Sequence, residues 1–284
     1  MKKAISVLLM MALSLTLLAG CGSKAEESQD TKEETTEDSG KEEKKSLKVG
    51  TAGASHIAAE AGVSALEEMG YEVEVVSFDD YVLPNTALQE GTIDYNIYQH
   101  RPYLEAFLKD NNGVDLTMAI DLYYPNYGLY STRYESLEEL PDGAKIGLYS
   151  DASNVDRGLR ILDACGLIKL TDEEREMYTE MDVVENPKNL TFELVGFGTA
   201  VRSMEDLDAC MAASSHILEG GLDPKSALVF EEKENATEDF TCGITVRTED
   251  LEEDWVQDVI EAYTSESSRK YMEDNYKGAS VPVF

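Results

Sequence analysis

The sequence predicts an α/β protein of two lobes with a ligand cleft between them. From Leu47 onward, short apolar runs typical of strands alternate with amphipathic segments typical of helices. The alternation occurs in two successive halves, and the stretch from residue 47 to residue 284 is longer than one hydrophobic core usually holds. Two packed α/β lobes are therefore the expected architecture.

The first half begins with a βαβ unit. A strand over residues 47–50, a helix over 56–69 ended by Gly70, and an alternating strand over 72–78 follow one another closely. This order favours a parallel sheet. The remaining elements expected in this half are a short helix over 84–89, a strand over 93–97, a helix over 99–109 and a strand over 116–121.

The second half repeats this rhythm. The turn signal Pro141-Asp142-Gly143 precedes a strand over 144–148. Residues 150–154 supply several capping side chains, so we expect a helix over 155–165. The other elements expected are strands over 190–194, 207–211, 227–230 and 241–246, and one or two helices over 255–276.

The N-terminal residues indicate secretion with a lipid anchor. Two lysines precede an almost wholly apolar run over residues 4–19, which fits a signal peptide and is short for a membrane-spanning helix. The run ends in Leu18-Ala19-Gly20-Cys21, which resembles the bacterial lipobox, so we expect cleavage before Cys21 and lipidation of its thiol. Two acyl chains would hold the protein at a membrane. Ordinary secretion with a free Cys21 is the alternative.

Charge and composition restrict the partners. Residues 22–46 are highly charged, and Ala25 is their one apolar side chain, so we expect a flexible tether; a solvated helix is the alternative. The whole chain has 57 Asp and Glu against 24 Lys and Arg, for a net charge of −33. Such a chain repels nucleic acid and anionic lipid, and both are discounted as partners.

The sequence offers no motif for a metal or a nucleotide. Beyond Cys21 there are Cys165, Cys210 and Cys242, with no CxxC or CxxH spacing, and the three histidines are scattered. We therefore expect no metal site, at least one unpaired thiol, and buried inert cysteines. No strand is followed by GxGxxG or GxxxxGK[ST], which argues against a nucleotide cofactor.

Two segments carry a resemblance to a known family. Residues 78–85 read FDDYVLPN and residues 93–104 read IDYNIYQHRPYL. They resemble the NlpA lipoprotein family, whose patterns are close to F-[ND]-D-Y-V-x-P-N and I-D-A-N-x-F-Q-H-x-P-Y-L. Further matches follow in order at residues 140–144, 154–157, 166–170, 184–190 and 277–279.

The resemblance implies a type II periplasmic-binding-protein fold. It implies that two lobes close on a free amino acid, usually methionine, and that the protein delivers this ligand to the permease of an ABC importer driven by a separate ATPase. It implies no cofactor and no catalysis. The expected organisation is a signal peptide over 1–20, a lipidated cysteine and tether over 21–46, one lobe from 47–127 plus 241–284, and a second lobe from 128–240.

Arg157 is the leading candidate for ligand binding. It lies about one turn into a helix whose N-terminus favours an anion, and a guanidinium can grip a carboxylate with two hydrogen bonds. In the family, the arginine at this position binds the ligand α-carboxylate. The alternative is a surface arginine paired with Asp156 or Asp151.

Aromatic residues form the second set of candidates. In the family, the positions of Tyr81, Tyr98, His100 and Tyr124 line the pocket for the ligand side chain, and Tyr98 stands where phenylalanine is usual. Aromatic faces supply apolar contact and their polar tips can orient a ligand. Core packing is the alternative for each, and for His100 a bond to backbone. Asn154 is a further candidate, or a helix cap only.

Two departures from the family concern the ligand backbone. The resemblance places Ala213 and Cys242 where methionine binders have asparagines that contact it. Alanine has no polar side chain and a thiol is a weak donor. The ligand is therefore expected to lack a standard free amino group, to be larger, or to be held differently; Ser214, Ser215 and His216 are the available substitutes.

Two other functions remain as alternatives. A secreted hydrolase would need a nucleophile with a base, but no G-x-S-x-G occurs, and Ser214-Ser215-His216 has no supporting motif. An adhesin or interaction lipoprotein that keeps the fold without transport is favoured modestly by the two missing asparagines.

Overall fold

The structure, a computed structural model, describes residues 46–232 and 240–284. The predicted signal peptide, the lipidation site Cys21 and the predicted tether up to residue 45 lie outside the described residues.

The first sheet of the described chain is mixed rather than wholly parallel. Its strands are β1 (Ser46–Ala52), β2 (Glu72–Phe78), β3 (Tyr95–His100), β4 (Leu116–Pro125), β12 (Cys242–Arg247) and β13 (Ser280–Pro282). Their spatial order is β13-β4-β12-β3-β1-β2. The predicted βαβ unit is present, because β1 pairs in parallel with β2 and with β3. Strand β12 pairs antiparallel with both β3 and β4.

The second sheet is built mainly from the second half of the chain. It contains β5 (Tyr127–Tyr130), β6 (Lys145–Tyr149), β9 (Thr191–Val195), β10 (Ala209–Ala213) and β11 (Val229–Phe230), in the order β11-β5-β10-β6-β9. Strand β6 pairs in parallel with β9 and β10, whereas β5 pairs antiparallel with β10 and β11. A separate small ladder joins β7 (Lys169–Leu170) to β8 (Val183–Glu185).

Each sheet has its own hydrophobic core, which explains the two-lobed fold. Val49, Ile97 and Ile244 are fully buried in the core of the first sheet. Leu129 and Ile146 are fully buried in that of the second. The predicted fold class is confirmed by this division and by the similarity to solved structures described below.

The chain passes from the first sheet to the second through a single residue, Asn126, which lies between β4 and β5. Its backbone N–H donates to the carbonyl of Ala279 at 3.0 Å, and its carbonyl accepts from the backbone N–H of Ser214 at 2.7 Å. The chain returns to the first sheet between β11 and β12. Both passages lie close to the predicted lobe boundaries, which stay a prediction.

The prediction of one long helix over residues 56–69 is wrong. The structure has two short helices there, α1 (His56–Ala61) and α2 (Val63–Glu68), joined at Gly62. A Cβ at Gly62 would lie 2.5 Å from the ring of Tyr263, so only a glycine lets that ring pack against this turn. Glycine is also a poor residue for a helix interior.

The other predicted helices are present with shifted ends, and two short helices, Ala200–Ser203 and Ser214–Glu219, were not predicted. The helix predicted over 99–109 begins only at Arg101, because the strand before it continues to His100. The helix predicted from residue 155 begins at Ala152, because the Asp151 side chain caps it by accepting from the N–H of Asn154. The helices are α3 (Leu83–Gln89), α4 (Arg101–Asp110), α5 (Ala152–Ala164), α6 (Ala200–Ser203), α7 (Ser214–Glu219), α8 (Asp254–Tyr263) and α9 (Glu266–Tyr276).

A buried amide network fixes the two motif segments to each other. The side chain of Asn85, fully buried on α3, donates to Gln99 Oε1 at 2.8 Å. Its Oδ1 accepts from Asn96 Nδ2 at 2.9 Å and from Gln99 Nε2 at 2.6 Å. The polar residues of these segments thus largely hold α3 against β3, a structural role.

Three further features of the described residues are the state of the thiols, the absence of a membrane-spanning helix and the absence of a metal-site cluster. Cys165, Cys210 and Cys242 are free, and burial is full for the last two but only partial for Cys165. In the part of the chain that the structure describes, no helix is long and apolar enough to cross a membrane. The same residues contain no cluster of His, Cys, Asp and Glu suited to a metal ion.

Candidate functional site

A small cavity lies between the two sheets. Its volume is about 50 Å³, which is room for one or two water molecules at ~30 Å³ each. Tyr98 and His100 on β3 and Cys242 on β12 line one side. Arg157 on α5 and Ala213 at the end of β10 line the other. The predicted cleft is therefore present, in a closed arrangement.

Four rings bridge the two sides of the cavity. Tyr81 stacks on Phe197 with ring centroids 4.2 Å apart, and Tyr149 packs against Phe197 at the same distance. The hydroxyl of Tyr81 is 2.9 Å from His216 Nε2, and that of Tyr149 is 2.6 Å from His216 Nδ1. Because a neutral imidazole has one donor and one acceptor, one hydroxyl donates to His216 and the other accepts from it.

Tyr81 reaches His216 across a glycine. Gly53 has a φ of +51°, in the left-handed region that favours glycine. A Cβ at this position would lie 2.1 Å from the hydroxyl oxygen of Tyr81 and 3.3 Å from His216 Nε2. Any side chain at position 53 would therefore displace the hydroxyl that joins the two sheets.

His100 joins the sheets at a second point. Its Nδ1 accepts from the backbone N–H of Tyr103 at 3.2 Å and so caps α4. With Nδ1 unprotonated, Nε2 carries the hydrogen and donates to Asn154 Oδ1 at 3.3 Å. The Asn154 amide nitrogen in turn donates to Asp151. Both sequence alternatives thus hold in part, since His100 bonds backbone and also faces the cavity.

Both cavity histidines are neutral at pH 7. Burial lowers the pKa of His216 from 6.5 to about 4. Burial, together with the nearby charge of Arg157, lowers the pKa of His100 to about 3. In the unfolded chain each ring takes up a proton near pH 6.5, whereas the folded ring does not, so stability falls as the pH drops from 6.5 toward 4.

A first prediction concerns this pH dependence. Between pH 7 and pH 5, we expect wild type to lose about 2 kcal/mol more stability than the His216→Gln variant, because only wild type has this ring to protonate on unfolding. Urea unfolding at the two pH values measures the difference. His56→Gln, outside the cavity, is the matched control and should follow wild type. An equal loss in wild type and His216→Gln would show that His216 does not resist protonation.

Arg157 points inward and is almost fully buried, with 2% of its side chain exposed. Its Nε donates to Glu231 Oε1 at 2.9 Å and its Nη2 to Glu231 Oε2 at 2.5 Å. The guanidinium lies between the rings of Tyr127 and Phe240, at 4.3 Å and 4.2 Å from their centroids. Burial lowers the pKa of Arg157, but the charge and hydrogen bonds of Glu231, together with the nearby Tyr124 and Tyr127, outweigh burial and raise the pKa above its usual value.

The alternative of a surface arginine paired with Asp156 or Asp151 is wrong. The partner of Asp156 is Arg160, one turn further along α5. Asp151 is occupied in capping the helix, through bonds to the backbone and side chain of Asn154. The carboxylate of Asp151 thus already occupies the N-terminus of α5. A free helix end that attracts an anion, as expected from the sequence, does not define the site.

Two buried hydroxyls at the cavity have no hydrogen-bond partner among the described residues. They belong to Tyr98 and Tyr127. The two replacement residues, Ala213 and Cys242, also line the cavity, and the thiol of Cys242 contacts the carbonyl of Tyr98 at 3.9 Å and interacts with the hydroxyl of Tyr123. Among Tyr98, Tyr127 and the two replacement residues, hydrogen bonds for a ligand are therefore available from the two tyrosine hydroxyls.

The structure brings together most of the predicted site residues. Tyr81, Tyr98, His100, Asn154, Arg157, Ala213 and Cys242 line the cavity. Tyr124 does not; its hydroxyl donates to Glu231 behind Arg157. Side chains alternate along a strand, so the neighbouring Tyr123 faces the cavity instead. Of the suggested substitutes, Ser215 and His216 line the cavity, whereas the Ser214 hydroxyl bonds Tyr130.

Sequence reasoning missed several residues of the site. Tyr103, Tyr127, Tyr149 and Phe197 line the cavity, and Glu231 pairs with Arg157. Tyr149 carries a usable signal, because it directly follows a predicted strand and precedes the capping residues of α5. Glu231 carries none, since it is one of many acidic residues and lies 74 positions from Arg157.

Two α/β sheets with separate cores, joined by two chain passages and enclosing a cavity between them, define the fold of the periplasmic substrate-binding proteins. The model of the NlpA lipoprotein family matches residues 47–284. The chain belongs to the NlpA lipoprotein family, and the resemblance found in its motifs is confirmed.

Known proteins similar to this chain carry names of the same kind. The D-methionine-binding lipoprotein MetQ of Salmonella typhi is 34% identical over 268 residues, 93% of this chain and 92% of its own. A nutrient binding protein from Burkholderia cenocepacia, solved bound to methionine, is 33% identical, with a TM-score of 0.78 over 84% of this chain and 100% of its own. A periplasmic substrate-binding protein of an ABC transporter from Coxiella burnetii is 29% identical, with a TM-score of 0.77 over 84% and 100%.

Proposed function

We propose that this protein is the solute-binding lipoprotein of an ABC importer and captures an amino acid or a derivative, with a methionine-like ligand as first choice. The observation that carries the proposal is the buried guanidinium of Arg157 at a cavity between two sheets. The names of its relatives, which include methionine-binding lipoproteins and an ABC transporter substrate-binding protein, support this assignment. Binding without catalysis accounts for the site, so we do not propose an enzyme.

Capture requires the two sheets to separate. A cavity of about 50 Å³ is well below the 300 Å³ or more usual for ligand pockets. The bonds that cross it, Tyr81 to His216 and His100 to Asn154, close the arrangement. A ligand that contacts both sides stabilises the closed form over the open one, and this difference in affinity drives closure.

The proposed contacts divide between the two ends of the ligand. The carboxylate binds Arg157, and the side chain packs on Tyr81, Tyr98 and His100. The hydroxyls of Tyr98 and Tyr127 supply hydrogen bonds that Ala213 and Cys242 do not. Tyr124 acts indirectly by holding Glu231. Asn154 acts through its bond to His100 in addition to its place at the start of α5.

The proposed location is the extracytoplasmic face of the cell membrane, with a lipid on Cys21 as the anchor. The lipobox-like sequence at Cys21 and the lipoprotein names of relatives support it. The proposed partners are the ligand, the membrane reached through the lipid, and a permease with its ATPase. The strong negative charge argues against nucleic acid.

A second candidate is an adhesin or interaction lipoprotein that keeps the fold without transport. The observation that favours it is the pair Ala213 and Cys242, which offer the cavity little hydrogen-bonding capacity. This candidate predicts that no amino acid binds.

Calorimetric titration of the protein with methionine, its derivatives and other amino acids tests the two candidates. We expect at least one to bind with a Kd in the micromolar range or tighter, as solute capture requires. Cells that lack the protein should lose uptake of that ligand, and the Cys21→Ser variant should fail to restore it if the lipid holds the protein near the permease. An absence of binding across the screen would refute solute capture and favour the adhesin.

A further inference from the structure

Glu231 is a buried carboxylate beside the proposed ligand site. It follows β11, and 7% of its side chain is exposed. It accepts hydrogen bonds from Nε and Nη2 of Arg157 and from the hydroxyl of Tyr124. Both carboxylate oxygens therefore accept hydrogen bonds, and Arg157 has a counter-ion within the chain itself.

The guanidinium of Arg157 is open to a ligand in one direction. Its two faces are covered by Tyr127 and Phe240, and its Nε–Nη2 edge is taken by Glu231. Of its five N–H groups, the two on Nη1 form no hydrogen bond within the described residues and are available to a ligand, since Nη2 also donates to the Tyr124 hydroxyl. Arg157 lines the cavity, whereas Glu231 lines a larger cleft of about 1020 Å³ that Arg157 also borders, so a ligand carboxylate in the cavity and Glu231 would bind the same guanidinium from different sides.

This arrangement sets the charge of the site before any ligand enters. Among the described residues that line the cavity, Arg157 alone carries a formal charge at pH 7, since His100 and His216 are neutral. Glu231 cancels that charge. An anionic ligand would leave one uncompensated negative charge in a buried site, whereas a zwitterion would leave none. An uncompensated charge is costly in such an environment.

We infer that Glu231 is a specificity-determining residue that makes the cavity select ligands of zero net charge, such as zwitterionic amino acids, over anionic analogues of the same shape. It acts by neutralising Arg157, and no direct contact with the ligand is needed. The inference rests on the proposed function, because it assumes that Arg157 receives the ligand carboxylate.

A series of probes with one shape and three charges tests this inference. L-methionine is neutral overall, 2-hydroxy-4-(methylthio)butanoate is an anion in which a hydroxyl replaces the ammonium, and L-methioninamide is a cation. We expect wild type to bind L-methionine at least tenfold more tightly than the hydroxy acid. In Glu231→Gln, this preference should shrink at least tenfold or reverse, since the amide retains acceptor and shape but removes the negative charge.

The exposed neighbour Glu232 provides the matched control, and Glu232→Gln should keep the wild-type preference. Glu231→Gln leaves a buried arginine without its partner, so a lower melting temperature is also expected. Relative to methionine, the hydroxy acid should raise the melting temperature more in this variant than in wild type. If this variant does not fold, the wild-type series decides: equal or tighter binding of the hydroxy acid overturns the inference. Methionine binding with an unchanged preference in Glu231→Gln overturns the inference alone, whereas a series in which no probe binds overturns the proposed function with it.

Discussion

Replacing Arg157 by alanine is expected to weaken amino-acid binding by at least about 100-fold. The variant removes the cation that receives the carboxylate and leaves Glu231 buried without its partner. Truncating one member of a buried, hydrogen-bonded charge pair costs roughly 2–5 kcal/mol in binding. The free energy of unfolding should fall by about 3–5 kcal/mol for the same reason. Calorimetric titration and urea unfolding measure the two effects.

Arg160 offers a matched control for this variant. It lies one turn further along α5, where 48% of its side chain is exposed while its partner Asp156 is buried. Arg160→Ala should bind as wild type does and lose less stability than Arg157→Ala, because Arg160 is half exposed and Asp156 still accepts from the backbone N–H of Tyr178. Should Arg157→Ala fail to fold, Arg157→Lys keeps a positive charge without the planar fork and should still bind weakly. Wild-type affinity in a folded Arg157 variant would remove this residue from the site.

Replacing Asn85 by leucine is expected to lower the free energy of unfolding by about 4 kcal/mol. Leucine has nearly the same shape, but it cannot bond Gln99 Oε1 or Asn96 Nδ2, which Asn85 pairs in the structure. Each buried polar group left without a partner costs roughly 1–3 kcal/mol. Urea unfolding measures the loss, and the melting temperature should fall by about 10 °C.

An exposed asparagine gives the comparison for Asn85. Asn275 lies at the surface of α9, where its amide bonds the carbonyl of Tyr271. Asn275→Leu should change stability by no more than about 0.5 kcal/mol. If Asn85→Leu cost less than 1 kcal/mol, the amide network would not be what holds α3 against β3.

The elements could be predicted from the sequence where a local pattern decides them. Strand β2 is found over the predicted residues 72–78, because the alternating Glu and Val residues at its start and its β-branched valines favour a strand locally. The break at Gly62 could not be predicted, since it depends on the ring of Tyr263, about 200 positions away in the chain. Strand β5 was missed because a single residue separates it from β4. The two strands are distinct only because β5 pairs in the second sheet.

The site was predictable residue by residue only where the family motif covers it. The motif led to Arg157, but not to Glu231, because a tertiary ion pair leaves no local pattern. It also suggested Tyr124 as a wall of the pocket, whereas Tyr123 lies there. A one-residue difference in a strand turns a side chain to the opposite face, and the sequence alone does not reveal which face is inward.

The absence of a Cβ atom at Gly53 affects how closely the two halves of the protein approach each other. Because the turn after β1 carries no side chain, a phenol anchored on one half of the protein can meet an imidazole anchored on the other. Even a methyl group at that turn would lie between the phenol and the imidazole and would prevent the two halves from closing fully. The affinity for the proposed solute therefore depends on the residue at position 53, even though this residue need not contact the solute.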